Sequence, residues 1–407
     1  MSSNDDKAKQ VERTDVTLAF ETLAPLPILL SLTQAVVHKH EILICGGFLE
    51  RSCFSYHTLK NQYKYICSYP KDVALRGHCV VKRVNNDNPK AITLLSFGGQ
   101  RSAETKHTLI LKYISVWNEE YGTKIEDETY SNEWLPFTDM DNNPVSIGRK
   151  QDNYEGVRAV IGGRKDNLLF ISYRPKNIDV FDLDTFQYIS QNLLPIDCNS
   201  DVYFHCFMLK PEDPTTIRKT NAHEKKNGIV LFCENVGLLV EYNEDSNAFE
   251  MQKLRVCSTI RSFNFYAYVR INSDILFFGG YGTELGISRS VHKYSMIKNK
   301  WIKFEHNLAI PLFGSIGILN DDNKHIHILG GRADKGYEVS THMKADVMEW
   351  MKEKTEVEAQ WSMEETKIEE EEREKENVKK EIEDVKRMKK EIEEIKQKYN
   401  LETLNVD

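Results

Sequence analysis

Ile275-Leu276-Phe277-Phe278-Gly279-Gly280 and Ile326-His327-Ile328-Leu329-Gly330-Gly331 are two apolar runs of strand length, each stopped by a pair of glycines. The same phrase occurs earlier as Ile42-Leu43-Ile44-Cys45-Gly46-Gly47 and Leu94-Leu95-Ser96-Phe97-Gly98-Gly99. From Gly47 to Gly99 is 52 residues, and from Gly280 to Gly331 is 51. A repeat near 50 residues whose unit opens with a buried strand points to an array of small sheets, because a single such unit cannot bury both of its faces.

Downstream of these strands an aromatic recurs with a second one seven residues on: Tyr56 with Tyr63, Phe181 with Tyr188, Tyr242 with Phe249, and Tyr294 with Trp301. Six intervening residues in a hairpin put such positions opposite each other on one face, so each pair forms an aromatic wedge. Working back from Phe181 and Tyr242 finds Leu168-Leu169-Phe170-Ile171-Ser172-Tyr173 and Ile229-Val230-Leu231-Phe232-Cys233-Glu234, where Ser172-Tyr173 and Cys233-Glu234 replace the glycine pair. Tyr113 is paired with Trp134 across a polar excursion from Asn118 to Glu133, and Lys210 to Asn227 reads as a second insertion. Six units result. After Gly331, Val339 to Met343 reads as a third strand, and the sixth unit then lacks a fourth. The segment Thr17 to Leu23 resembles the outer strand at Lys300 to Phe304, so an N-terminal strand is expected to complete the last unit and leave no free sheet edge.

Apolar strand, glycine pair and spaced aromatics resemble the kelch-repeat family of β-propellers over residues 16–345. The resemblance implies an all-β, six-bladed kelch-type propeller around a central channel, with seven or five blades as the competing counts. Its structural glycines are Gly46, Gly47, Gly98, Gly99, Gly279, Gly280, Gly330 and Gly331. None of the five tryptophans is followed by Asp, which argues against WD-type blades.

All 21 glycines lie at or before Gly336 and all 11 prolines at or before Pro311. Beyond about Ala345 the chain is Glu- and Lys-rich and suits one long helix, with i,i+4 pairs such as Glu376–Lys380 and Glu394–Lys398. The organisation expected is a disordered segment 1–15, the propeller 16–345 and a charged helix or coiled coil 346–407. Within the helix Val378, Ile382, Val385, Met388, Ile392, Ile395 and Tyr399 step by three or four residues, a seam with one irregular step. Self-association or a helical partner through residues 378–399 is expected, with a solitary charged helix as the alternative.

Of the net charge of −8, residues 351–407 carry −6, from 13 Lys/Arg against 19 Asp/Glu. The near-neutral remainder gives no case for nucleic acid, which needs a basic excess. No membrane segment or signal-peptide pattern is present, and the eight cysteines contain no CxxC, so a cytoplasmic protein is expected. His78-Cys79 and His205-Cys206 each open an apolar strand and read as packing, because neither has zinc-ligand spacing. Gly280 to Gly286 is glycine-rich but lacks the Lys-Ser/Thr and helix of a nucleotide loop. No catalytic constellation, metal site or cofactor is expected.

What recurs is a side chain just beyond the strand ends: Arg51, Arg101, Arg174 and Arg332, with Tyr281 in the fifth unit. The resemblance implies that these loops gather at one mouth of the ring. Arginines converging there suit an acidic or phosphorylated peptide, since guanidinium pairs bidentately with such groups. Solvated loop charge, or pairing within a loop such as Arg51 with Glu50, is the competing reading. The function expected is a non-enzymatic protein-protein interaction scaffold, and the alternative is a propeller enzyme, a lyase or isomerase acting on a small molecule.

Overall fold

The computed structural model describes residues 19–83, 91–117, 132–197, 200–211 and 227–403. After the short β1 (Glu21–Thr22), the chain builds a first antiparallel meander from β2 (Gln34–His38), β3 (Glu41–Gly47), β4 (Glu50–His57) and β5 (Gln62–Ser68). The second comprises β6 (Cys79–Arg83), β7 (Ala91–Phe97), β8 (Thr108–Ile114) and β9 (Trp134–Pro136). The third comprises β10 (Asn153–Gly162), β11 (Leu168–Arg174), β12 (Asn177–Asp182) and β13 (Gln187–Leu193). The fourth is β14 (Cys206–Leu209), β15 (Asn227–Cys233), β16 (Val236–Asn243) and β17 (Ala248–Lys253). In the fifth, β18 (Ala267–Ile271) and β19 (Asp274–Phe278) are followed by a small hairpin, β20 (Tyr281–Gly282) and β21 (Gly286–Ile287), before β22 (Ser290–Ser295) and β23 (Lys300–Asn307). The sixth has β24 (Ile316–Leu319), β25 (His325–Leu329) and β26 (His342–Asp346). Its fourth strand is β1, which pairs antiparallel with β26.

These six sheets are the blades of a six-bladed propeller. The first strands line the channel, with β24 beside β2 closing the circle. Burial falls from the inside outward, as a radial stack of sheets demands: β3 is buried at every position, whereas β13 and β17 alternate between partly buried and exposed. Six apolar clusters fill the gaps between successive blades. Leu168, Phe170, Leu231 and Leu238, for example, join blades three and four. All four aromatic pairs expected from the seven-residue spacing face each other across the third and fourth strands, with ring centroids 4.8 to 5.1 Å apart.

The glycine pair has a steric cause. At Gly330, φ is +59° and a Cβ would lie 2.4 Å from the carbonyl oxygen of Leu30, while the amide of Gly331 donates to that oxygen at 2.7 Å. Gly279 repeats this against Leu312, with φ +67° and a Cβ only 2.2 Å from the carbonyl oxygen. The pair therefore lets the connection between blades press against the end of the buried strand.

Several expectations need correction. Trp134 stands opposite Leu111, not Tyr113, because β9 continues the register Leu109 to Pro136 and Ile110 to Leu135. Trp134 stacks instead on Tyr69, with centroids 4.6 Å apart, and the Tyr113 hydroxyl donates to Glu41. The third strand of blade six is His342–Asp346, because Val339 turns aside to bond the carbonyl of Gly331. Blade six also reaches past Ala345: a 3-10 turn over Val347–Trp350 buries Trp350 among Phe20, Phe278 and Phe304. The long helix α1 consequently starts only at Glu356 and runs to Thr403. The segment 1–15 and most of the two insertions lie outside the described residues.

The first five turns of α1 lie along the outer edge of blade five. Trp361 packs into the cluster between blades four and five. Glu358, Glu365 and Glu372, spaced by seven, share that face. Glu358 accepts the amide of Glu305, Glu365 accepts the Ser258 hydroxyl and faces Arg255 at 2.5 Å, and Glu372 binds Arg255 and Arg261 at 2.9 and 2.7 Å. The helix thus covers the edge strand β23. No helix of the described residues is long and apolar enough to cross a membrane.

Candidate functional site

Two residues before the first strand of every blade the backbone turns through a left-handed residue: Leu32, Gly77, Gly156, Phe204, Phe265 and Gly314 in blades one to six (for Gly156, two before Arg158, within β10), with φ between +49° and +74°. Glycine takes this conformation without strain, whereas a side-chain-bearing residue gives up about 1–2 kcal/mol. Three bulky apolar residues therefore hold it against their own preference. Their side chains line the same stretch of the channel. The rings of Phe204 and Phe265 stack with centroids 4.2 Å apart, and a Cβ on Gly77 or Gly156 would come within 2.1 or 2.8 Å of the Phe204 ring. The glycines of blades two and three make the room into which the phenylalanine of blade four reaches.

This apolar plug separates two spaces. Below it, Leu32, Phe204 and Phe265 roof a channel cavity of about 190 Å³. Arg158 lines that cavity, donates to the carbonyl of Val157 at 2.8 Å and lies 5.7 Å from the Phe204 ring. Above it, the same three residues floor a mouth of about 680 Å³, whose walls include Phe48, Tyr203, Tyr281, Phe313, Arg174 and Arg332.

Of the five expected site residues, Arg174, Tyr281 and Arg332 are brought together in this mouth. Arg174 binds Asp201 at 2.5 Å and lies 4.5 Å over the Tyr203 ring. Arg332 lies 4.5 Å over Phe48 and reaches Ser31 and Glu338 at 3.1 and 3.3 Å. The Tyr281 ring sits 5.3 Å from that of Phe313. Arg101 stays at the rim, 59% exposed, and pairs at 2.8 Å with Glu155, which does line the mouth. Arg51 is not among the described lining residues. Its amide is bound by the Glu50 carboxylate, which caps the β3–β4 turn.

Each of the three guanidiniums at the mouth thus has a carboxylate of its own. These pairs are partly open to solvent, and such pairs contribute little to stability, so they orient the arginines more than they hold the fold. Glu234 adds an acid close by. It stands where the repeat elsewhere has a glycine, with φ +49°, accepts from Asn264 of the mouth at 3.0 Å, and has its carboxyl pushed up by burial and by Asp201. Among the described residues no group of three or more His, Cys, Asp or Glu is arranged to hold a metal. His78 and His205 are wholly buried and kept neutral by that burial; the former bonds the carbonyl of Cys45.

Phe204, Phe265 and Leu32 were not singled out by residue type. A signal for Phe204 existed: aligning Gly77-His78-Cys79 with Phe204-His205-Cys206 sets a phenylalanine where a glycine is expected.

No known protein family and no curated protein matches the sequence. Among solved structures, the chain is similar to that of YjhT, a propeller, with a TM-score of 0.51 at 12% identity, covering 79% of this chain and 95% of that one. In all, 712 solved chains match, so the architecture is common and the likeness speaks for the fold alone.

Proposed function

We propose that this chain is a diverged kelch-type propeller acting as a non-enzymatic protein-interaction scaffold, and that its mouth receives the tip of a partner protein. The observation that carries the reading is the pairing of an aromatic floor with arginines at the wall. Such a surface suits a segment with an apolar or aromatic side chain flanked by a carboxylate or phosphate, which would exchange with Asp201 or Glu338 on Arg174 and Arg332. The seven described cysteines are free thiols, which supports a reducing, cytoplasmic setting.

The test is a photo-crosslinkable residue at Tyr281 in native cells, followed by mass spectrometry, beside a chain carrying Arg174→Ala and Arg332→Ala. A crosslinked protein that the double variant no longer recovers supports the mouth. Undiminished recovery by the variant rejects it.

Glu234 favours a second reading, a lyase or isomerase using the same mouth, because a carboxyl whose pKa is raised by burial and which is bonded to Asn264 of the mouth is a candidate acid–base group. Saturable binding of a small carboxylate or sugar, lost in Glu234→Gln with the fold intact, would support that reading over the scaffold.

A further inference from the structure

From Arg373 onward α1 leaves the propeller and runs free for roughly 45 Å, at 1.5 Å per residue. Val378, Ile382, Val385, Met388, Ile392 and Ile395 are each between 46% and 56% exposed. Six large apolar side chains in one stripe, on a helix otherwise rich in Glu and Lys, constitute a surface that a solitary helix leaves in water.

The docked turns fix where that stripe points. At about 100° per residue, the face carrying Glu358, Trp361, Glu365 and Glu372 is turned roughly 160° from the mean direction of the stripe. The propeller holds one side of α1 and the seam lies on the other. A second helix can therefore approach without meeting the propeller of the first.

The charges flanking the seam identify that second helix. With Val378, Val385, Met388 and Ile395 at d positions and Ile382 and Ile392 at a, the irregular step falls between Val385 and Met388. The g positions are then Glu374, Glu381 and Glu391, and the e positions five residues later are Lys379, Lys386 and Lys396. In a parallel, in-register pair, g of one helix meets the following e of the other, and all three contacts are Glu with Lys, each made twice. In an antiparallel pair, g meets g and e meets e, which sets Glu against Glu and Lys against Lys.

We infer that the seam of α1 is covered by the same segment of a second copy of this chain, as a parallel two-stranded coiled coil that holds two propellers outward on opposite sides. Two mouths on one stalk would engage a repeated or clustered partner with avidity.

The experiment is sedimentation equilibrium of the full chain at micromolar concentration, with three sequences. The unaltered chain is expected at twice 47.2 kDa. A chain with Lys379→Glu, Lys386→Glu and Lys396→Glu is expected to associate at least tenfold more weakly. Mixed with its counterpart carrying Glu374→Lys, Glu381→Lys and Glu391→Lys, it is expected to recover the dimer mass, because each g–e contact is again opposite in charge. Propeller melting, followed by tryptophan fluorescence, should be the same in all three. A monomeric unaltered chain overturns the inference, as does a dimer indifferent to the charge changes or a mixture that does not recover.

Discussion

Lys344 stands directly opposite Glu21 across the last pair of strands, with its Nζ 2.7 Å from the Glu21 carboxylate. Glu21 is 61% exposed, so the ion pair itself contributes well under 1 kcal/mol. What closes the ring is the backbone beside it, where the amide of Leu23 donates to His342 and that of Leu26 to Ser340. Phe20 completes the closure by packing on Phe278 and Trp350.

Removing residues 1–24 is therefore expected to lower the melting temperature of the whole propeller, and Phe20→Ala alone to cost about 3–4 kcal/mol. Lys344→Ala should change stability by less than about 1 kcal/mol. Calorimetry that finds the truncated chain as stable as the full one contradicts closure by this segment.

Gly330→Ala should destabilise by about 2–4 kcal/mol, since the new methyl would meet the Leu30 carbonyl at 2.4 Å. Gly286→Ala is the control. Its φ is +74° but nothing lies within 4 Å, so only the strain of about 1 kcal/mol applies. Equal losses in urea unfolding would mean that conformation, and not the close approach, governs the glycine pair.

Acid should open the seam between blades six and one. Burial holds His342 down to about 3 and His327 to about 4, while the two rings bond at 2.8 Å and Tyr63 bonds His342 at 2.6 Å. Their unfolded values lie near 6.5, so the unfolded chain takes up these protons first as pH falls. The stabilisation is complete above about pH 6.5 and is lost progressively toward pH 4 and 3. At pH 5 each ring accounts for about 2 kcal/mol of that loss. His342→Gln should flatten the decline of stability between pH 6.5 and 4; an unchanged slope would locate the titration elsewhere.

Arg255→Ala with Arg261→Ala should release the start of α1, because Glu365, which is 6% exposed, loses its cation and Glu372 loses both of its own. Hydrogen exchange over 356–372 is expected to speed up at least tenfold, while the protection of β3 and β11 holds. Loss of protection throughout would make the docking part of the propeller core.

Much of the fold could be read from local pattern because its units are local. The pairs Tyr56–Tyr63 and Tyr294–Trp301 need only a hairpin, and Gly330 needs only one passing carbonyl. The partner of Trp134 is not legible in this way, because its register depends on how many residues the insertion before it consumes, which composition does not encode. Docking of α1 was illegible for a different reason: Glu358, Glu365 and Glu372 look like any other solvated glutamates until Arg255 and Arg261, more than a hundred residues away from Glu372, are brought beneath them. At the mouth, loop position in the repeat is enough to bring Arg174, Tyr281 and Arg332 to one cavity. The floor escaped because it consists of ordinary apolar residues in an unfavoured backbone conformation, and conformation has no letter of its own.

Phe204, Phe265 and Leu32 make the ring of blades a cup and not a pipe. The three residues line both the mouth and the cavity below it, so an occupant of the mouth meets them before it meets the channel. On the proposed reading a partner would present an end, a bend or a single protruding side chain, and the depth of the cup, set by three strained residues, would be a ruler for how far that protrusion extends.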